Sequence, residues 1–127
     1  MNVEKRSKPV VLVVDDERVI ADTLAIILNK SGYDATAVYS GIGAVETARQ
    51  LKPDLVISDV VMADMNGIDA SIEIRKILPD CKILLFSGQA ATKDLLAKAR
   101  ADGHNFDLLI KPVHPTDLLA KLKSRVG

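Results

Sequence analysis

Apolar residues fall into two alternating rhythms along the chain. Short unbroken runs, rich in valine, isoleucine and leucine, are each followed by a segment whose apolar positions return every three to four residues. The runs predict strands β1 (Val10 to Val14), β2 (Asp34 to Tyr39), β3 (Leu55 to Ser58), β4 (Lys82 to Phe86) and β5 (Asp107 to Ile110). The segments between them predict helices. In ERVIADTLAIILNKSG, residues 17–32, helix α1 places Val19, Ile20, Thr23, Leu24, Ile27 and Leu28 on one face, with Lys30 at its negative end and Gly32 as its stop. Helix α2 runs from Ile42 to Leu51 and ends ahead of Pro53, because a residue before proline is pushed out of the helical region. Helix α3 runs from Ile68 to Leu78 and stops at Pro79, and α4 runs from Ala90 to Ala101 and ends at Gly103. Helix α5 begins at Pro115, a residue suited to a first turn, and carries Leu118, Leu119 and Leu122.

Strict β-α alternation, with strands apolar on both faces, implies an α/β protein whose parallel sheet is covered by helices on both sides. A closed barrel needs about eight such units. Five predict an open, doubly wound sheet instead. No repeat, linker or low-complexity tract divides the chain, so a single domain is expected over residues 9–127, with residues 1–8 as a frayed extension.

Composition narrows the function classes. At 127 residues, 48% hydrophobic and 27% charged, the chain has enough material for a real core. Lys and Arg total 17 and Asp and Glu total 17, so no global field favours nucleic acid, and direct nucleic-acid contact is not expected. No apolar run is long enough to span a bilayer, and MNVEKRSKP is followed by no signal-type apolar region; a cytoplasmic protein without membrane contact is expected. Cys81 is the only cysteine, which excludes an internal disulfide and a thiolate zinc cage; it is expected to be a small buried apolar residue. His104 and His114 are expected to be exposed loop residues, since neither has a metal-ligating neighbour at useful spacing.

The stretch VVLVVDDE at residues 10–17 breaks from five apolar residues into three acids. Adjacent carboxylates at the end of a buried strand repel each other and resist low dielectric, so something must offset them. Ligands of open parallel α/β sheets bind at the carboxyl ends of strands, at the point where strand order reverses. Asp15 and Asp16 follow strand one, Asp59 follows strand three, Ser87 strand four and Lys111 strand five. In the order 2-1-3-4-5 these four strands are contiguous. Oxygen ligands without His or Cys favour a hard cation such as Mg²⁺, while Lys111 and the Ser87 hydroxyl add donors for an oxyanion. A carboxylate can itself attack phosphorus to give an acyl phosphate, and Asp59, alone at a central strand end, is the best candidate. Each residue taken singly has a plainer reading: the acid pair as a helix start, Asp59 as a turn residue like Asp54 and Asp64, Ser87 as a cap, and Lys111 as a solvated lysine. All four in register make those readings jointly improbable. Glu17 is expected to begin α1 rather than join the chemistry.

With VLVVDDE at 11–17, PDLVISDVVMADMNG at 53–67, LLFSG at 84–88 and IKP at 110–112, the chain resembles a response-regulator receiver domain of two-component signalling. The resemblance covers residues 9–126. It implies the flavodoxin-like (βα)5 fold, whose chemotaxis members are known for the 2-1-3-4-5 order. It also implies that Asp59 accepts a phosphoryl group from a phosphohistidine of a sensor histidine kinase or a phosphotransfer protein, as in a phosphorelay. Asp16, Asp59 and the backbone carbonyl of Val61 would ligate Mg²⁺, with Asp15 beside the metal or bound through water. Lys111 would pair with Asp59 and then with the phosphoryl oxygens, and Ser87 would turn toward them. Such a domain is a self-modifying phosphoacceptor with autodephosphorylation, not a turnover enzyme, and Val61 and Gln89 stand at positions that tune phosphoryl lifetime.

The signalling part departs from the family pattern. Leu108 stands where many members carry Tyr or Phe, Ala63 where proline is common, and Val113 where phenylalanine follows the KP pair. An aliphatic Leu108 has no hydroxyl to move between buried and exposed states, and Phe106 lies too near the strand start to replace it. Output is expected through a protein partner on the α4-β5-α5 face, from a monomer or weak dimer. With no output domain after Val126, a stand-alone receiver and a fragment of a longer regulator are both open. Two other functions compete: a pseudo-receiver that binds partners without taking phosphate, and an aspartate-nucleophile phosphatase, which needs a DxD spacing where this chain has adjacent acids.

Overall fold

The apolar runs pair edge to edge into one parallel sheet of order β2-β1-β3-β4-β5. The computed structural model describes residues 8–88, 92–111 and 114–126. Its elements are β1 (Val10–Val14), α1 (Arg18–Lys30), β2 (Asp34–Val38), α2 (Gly41–Leu51), β3 (Leu55–Asp59), α3 (Gly67–Ile77), β4 (Lys82–Ser87), α4 (Thr92–Ala101), β5 (Asp107–Ile110) and α5 (Pro115–Val126). Residues 1–7 of the expected extension, Ala90 and Ala91 of the expected α4, and Gln89, Pro112 and Val113 lie outside the described residues. Two boundary differences matter: β3 and β4 each run one residue further than expected. Asp59 and Ser87 are therefore the last residues of strands and not loop residues. Ladder hydrogen bonds hold their backbones.

The three central strands have side chains buried on both faces, which is why they read as unbroken apolar runs. One core cluster joins Leu12, Val14, Val56 and Leu85 to Ala44 and Ala48 of α2, Ile68 and Ile74 of α3, and Leu96 and Ala99 of α4. The other joins Val11, Val13, Ile57 and Leu84 to Ala21, Ala25 and Leu28 of α1 and Leu118 and Leu122 of α5. Helices α2, α3 and α4 thus cover one face and α1 and α5 the other. Burying each large aliphatic side chain contributes about 1.5–3 kcal/mol before entropy is counted.

The α1 face differs from expectation. Val19 is 78% exposed and Thr23 is exposed, whereas Ala21 and Ala25 are buried with Leu28. The helix has the expected period but is turned about its axis, so small alanines face the sheet and Ile20 and Leu24 sit at the flank. Close helix-sheet approach favours the small residue over the larger one beside it. Asp54 and Asp64 both stand at bends, as expected, and each also serves as a hydrogen-bond acceptor for another element. Asp54 accepts the Val10 N–H at 2.8 Å and donates its own N–H to the Val10 carbonyl, clamping the start of β1. Asp64 caps a different element altogether, as described below. His104 is half-buried with its ring stacked on Phe106, 6.3 Å between centroids; His114 is exposed, and Cys81 is buried.

Ends and edges follow local chemistry. Gly32 and Gly103 take positive φ of 97° and 92° after α1 and α4, where a side chain would be strained. Lys52, ahead of Pro53, leaves the helical region as expected but into left-handed space, at φ 50°. At the outer edge of β2, the Asn29 carboxamide accepts the Ala35 N–H at 2.8 Å and donates to the Ala35 carbonyl at 3.1 Å. It occupies the place of a neighbouring strand's peptide and blunts that edge.

Candidate functional site

Strands β1 and β3 are neighbours whose onward connections go to opposite sides, so their carboxyl ends open onto the crevice where such sheets bind ligands. Asp15 leaves β1 fully buried, with its N–H donating to the Val38 carbonyl at 3.1 Å. Its Oδ1 accepts the N–H of Glu17, which stands at the N-cap position of α1, at 2.9 Å. Its buried Oδ2 accepts no hydrogen bond among the described residues and has the Lys111 ammonium at 3.7 Å. Asp16 is exposed and accepts the Ala63 N–H on Oδ2 at 3.2 Å. Asp59, 7% exposed, places Oδ2 3.4 Å from Lys111 Nζ. Carboxylate oxygens of Asp15, Asp16 and Asp59 all lie within 4.8 Å of one another.

Lys111 reaches this pocket because its backbone N–H is held by the Ser87 carbonyl at 3.1 Å, just past the end of β5. The ammonium lies 5.0 Å from the centre of the Phe86 ring, and Phe86 pairs in register with Asp59. Ser87, 1% exposed, follows Phe86 and ends β4 beside Ile110 of β5. Val61 lies in the loop after β3 with its side chain half exposed. The structure therefore gathers the three acids and Lys111 directly and places Ser87 at the next strand end.

Asp59 is held by backbone packing that residue-type reasoning missed. Gly67 opens α3 so close to β3 that a Cβ there would stand 2.1 Å from the Asp59 carbonyl oxygen and 2.9 Å from Ser58 Oγ. Its N–H donates to the Val60 carbonyl at 2.7 Å, while the Val60 N–H donates to the Phe86 carbonyl at 3.2 Å. The glycine in MADMNG was the available signal, readable as close backbone approach.

Burial dominates the electrostatics. It raises the Asp15 carboxyl above the ordinary carboxylate value, aided by Asp59 and opposed by the Glu17 N–H and Lys111. It raises Asp59 likewise, with Lys111 opposing and Asp16 adding to the rise. The Lys111 ammonium thus faces the Asp15 and Asp59 carboxylates, Asp16 stands close to both acids, and among the described residues a buried oxygen on Asp15 lacks a hydrogen-bond donor. That orphaned oxygen and an all-oxygen donor set fit a hard divalent cation, which Asp15, Asp16 and Asp59 could hold.

Comparison with known proteins agrees with this arrangement. A family model described as response regulator receiver domain matches residues 11–123. The chain is 37% identical over 113 residues to the chemotaxis protein CheY of Thermotoga maritima, covering 88% of this chain and 92% of that protein. It is 33% identical over 114 residues to the probable transcriptional regulatory protein TcrX of Mycobacterium tuberculosis, covering 90% of this chain and 48% of that one. The chain thus spans about half the length of that relative. Among solved structures, a CheY-like receiver domain protein from Methanospirillum hungatei JF-1 superposes with a TM-score of 0.84 at 25% identity, covering 93% of each chain. Chemotaxis protein CheY4 of Vibrio cholerae gives 0.83 at 26%, covering 94% of this chain and 99% of that one.

Proposed function

The chain belongs to the response regulator receiver family, and on that premise we propose that Asp59 accepts a phosphoryl group from a phosphohistidine of a sensor histidine kinase or phosphotransfer protein. One observation carries the reading: the buried Asp59 carboxylate shares its pocket with Asp15, Asp16 and the Lys111 ammonium. An Asp59 oxygen forms the new bond to phosphorus as the P–N bond breaks, and that bond's electron pair stays on the leaving imidazole. Lys111, already 3.4 Å from Asp59, follows the negative charge onto the phosphoryl oxygens. Gly67 and the Val60 hydrogen bonds keep the Asp59 backbone fixed, so only the side chain needs to reorient. Asp16, Asp59 and the Val61 carbonyl, with Asp15 beside them, would hold Mg²⁺, which when bound would supply positive charge against both the carboxylates and the phosphoryl group.

The protein is a phosphoacceptor that modifies itself and dephosphorylates itself, with one acceptor per chain. Its message leaves through the α4-β5-α5 face to a protein partner, with Ile110, 63% exposed at the end of β5, as an apolar contact on that face. No helix among the described residues is long and apolar enough to cross a membrane. A small-molecule phosphodonor with Mg²⁺ should add a single phosphoryl group to wild type, read by intact mass, and none to Asp59→Asn. Uptake by Asp59→Asn would overturn the assignment of the acceptor, and many turnovers of a generic phosphate ester would favour a phosphatase.

A further inference from the structure

The loop after Asp59 is tied down at two points, to two different elements. Its Ala63 N–H donates to Asp16 Oδ2 at 3.2 Å, a bond that a proline at this position would lack. One residue on, Asp64 reaches across to α2: its Oδ1 accepts the Gly41 N–H at 3.0 Å and its Oδ2 the Ile42 N–H at 2.9 Å. Ser40, the N-cap of α2, accepts the Gly43 N–H at 2.9 Å. The first turn of α2 is therefore capped from two sides, and two of its three donors are served by a foreign loop. Contact is close enough to need glycine, since a Cβ on Gly41 would lie 2.6 Å from the Met65 carbonyl oxygen and 2.9 Å from Met65 Cβ.

Resting on the metal reading above, we infer that Asp64 is a positioning residue for the acid pocket: by clamping the β3-α3 loop to α2, it holds the Ala63 N–H on Asp16 and strengthens cation binding. Asp64 touches none of the three carboxylates that would hold the ion. It acts on the backbone next to them, in the way an outer partner orients a ligand. Two fixed points on adjacent residues leave the loop little freedom, supplying by hydrogen bonding the stiffness that a proline would supply covalently.

The test compares Mg²⁺ affinity, followed by amide chemical shifts in the whole chain, across three variants. Asp64→Ala removes both acceptors and should weaken binding about tenfold, the low end for outer-sphere partners because Asp64 is exposed. Asp64→Asn keeps one acceptor with the same loss of charge and should weaken it only about threefold. Ser40→Ala uncaps the same helix without touching the loop; it should lower the melting temperature and leave affinity within about twofold of wild type. Equal losses for Asp64→Ala and Asp64→Asn would reduce the effect to charge and overturn the inference. So would an equal loss for Ser40→Ala, or none for Asp64→Ala. In metal-free protein, the Ala63 amide should exchange with solvent several-fold faster in Asp64→Ala; unchanged exchange overturns the strap itself. Wild type that takes up no Mg²⁺ would instead overturn the metal reading, leaving the Ala63 exchange to decide whether the strap exists.

Discussion

The two halves of the sheet are built to different standards. On the β1-β3 side, every strand side chain is buried, Asp59 is gripped by Gly67 at backbone distance, and Asp15, Asp16 and Asp59 stand in one pocket. On the β5 side, Asp107 and Ile110 are exposed, and Leu108 and Leu109 are only half-buried. Leu108 packs with Phe106 and Leu95 against the α2-α3-α4 core cluster, and it offers no polar atom to the phosphoryl end of the sheet. Phosphoryl chemistry needs sub-ångström placement of charged groups, which a fully buried strand supplies. A partner surface needs an element that can shift at low cost, which a half-exposed edge strand supplies. The acid pocket stands on the buried β1-β3 side and β5 on the half-exposed side, so the pocket should tolerate changes in β5 far better than changes around β3.

The largest expected effect is at the tight side. Gly67→Ala forces a methyl against the Asp59 carbonyl, with backbone and not a flexible side chain as the obstacle, and should cost roughly 3 kcal/mol or more. A denaturant midpoint checks it; a loss under about 1 kcal/mol would show that α3 can move away from β3, and the contrast between the halves would fail.

Charge gives a smaller effect of opposite sign. Burial raises Asp15 and Asp59 in the folded protein, so their contribution to metal-free stability is present in full below the ordinary carboxylate pKa and is lost as pH climbs through the raised folded values. Metal-free protein should therefore become less stable between acid and neutral pH from this source. Asp64 works the other way: backbone donors lower it, so its contribution is present above the ordinary value and lost as pH falls through the lowered one. Being exposed, it is the weaker influence. Asp59→Asn should stabilise the metal-free protein at neutral pH by on the order of 1 kcal/mol, since Lys111 retains Asp15 at 3.7 Å. Millimolar Mg²⁺ should raise the wild-type melting temperature and leave the variant nearly unchanged. A melt indifferent to Mg²⁺ would count against the pocket.

The smallest effect belongs to the signalling side. Leu108→Tyr should change stability by under about 1 kcal/mol and leave phosphoryl uptake by Asp59 unaltered, because the side chain is half-buried at the sheet edge. Loss of uptake in this variant would erase the division between the halves.

Much of this was legible in the chain. Unbroken apolar runs located the strands because a strand buried on both faces has no polar position to interrupt it, and the acids stood out because they break such runs. Helical period, by contrast, does not reveal rotation: α1 offered large residues at Val19 and small ones at Ala21, and contact with the sheet selected the small ones. Asp64 and Ala63 were unreadable for another reason. Their partners are backbone N–H groups of Gly41 and Ile42, and the carboxylate of Asp16, brought near only by tertiary folding. Backbone donors have no letter in a sequence.

Everything above turns on whether Asp59, within this acid and lysine pocket, takes a phosphoryl group and so changes the protein's state. The most direct test is a beryllofluoride titration, a stable stand-in for the phosphoryl group, followed by amide chemical shifts with and without Mg²⁺. Mg²⁺-dependent shifts are expected at Val60, Ser87 and Lys111 that saturate together, extend into β5 and vanish in Asp59→Asn. A wild-type spectrum that does not respond would contradict phosphoryl uptake by Asp59 and leave the chain as a receiver-shaped binding domain that takes no phosphate.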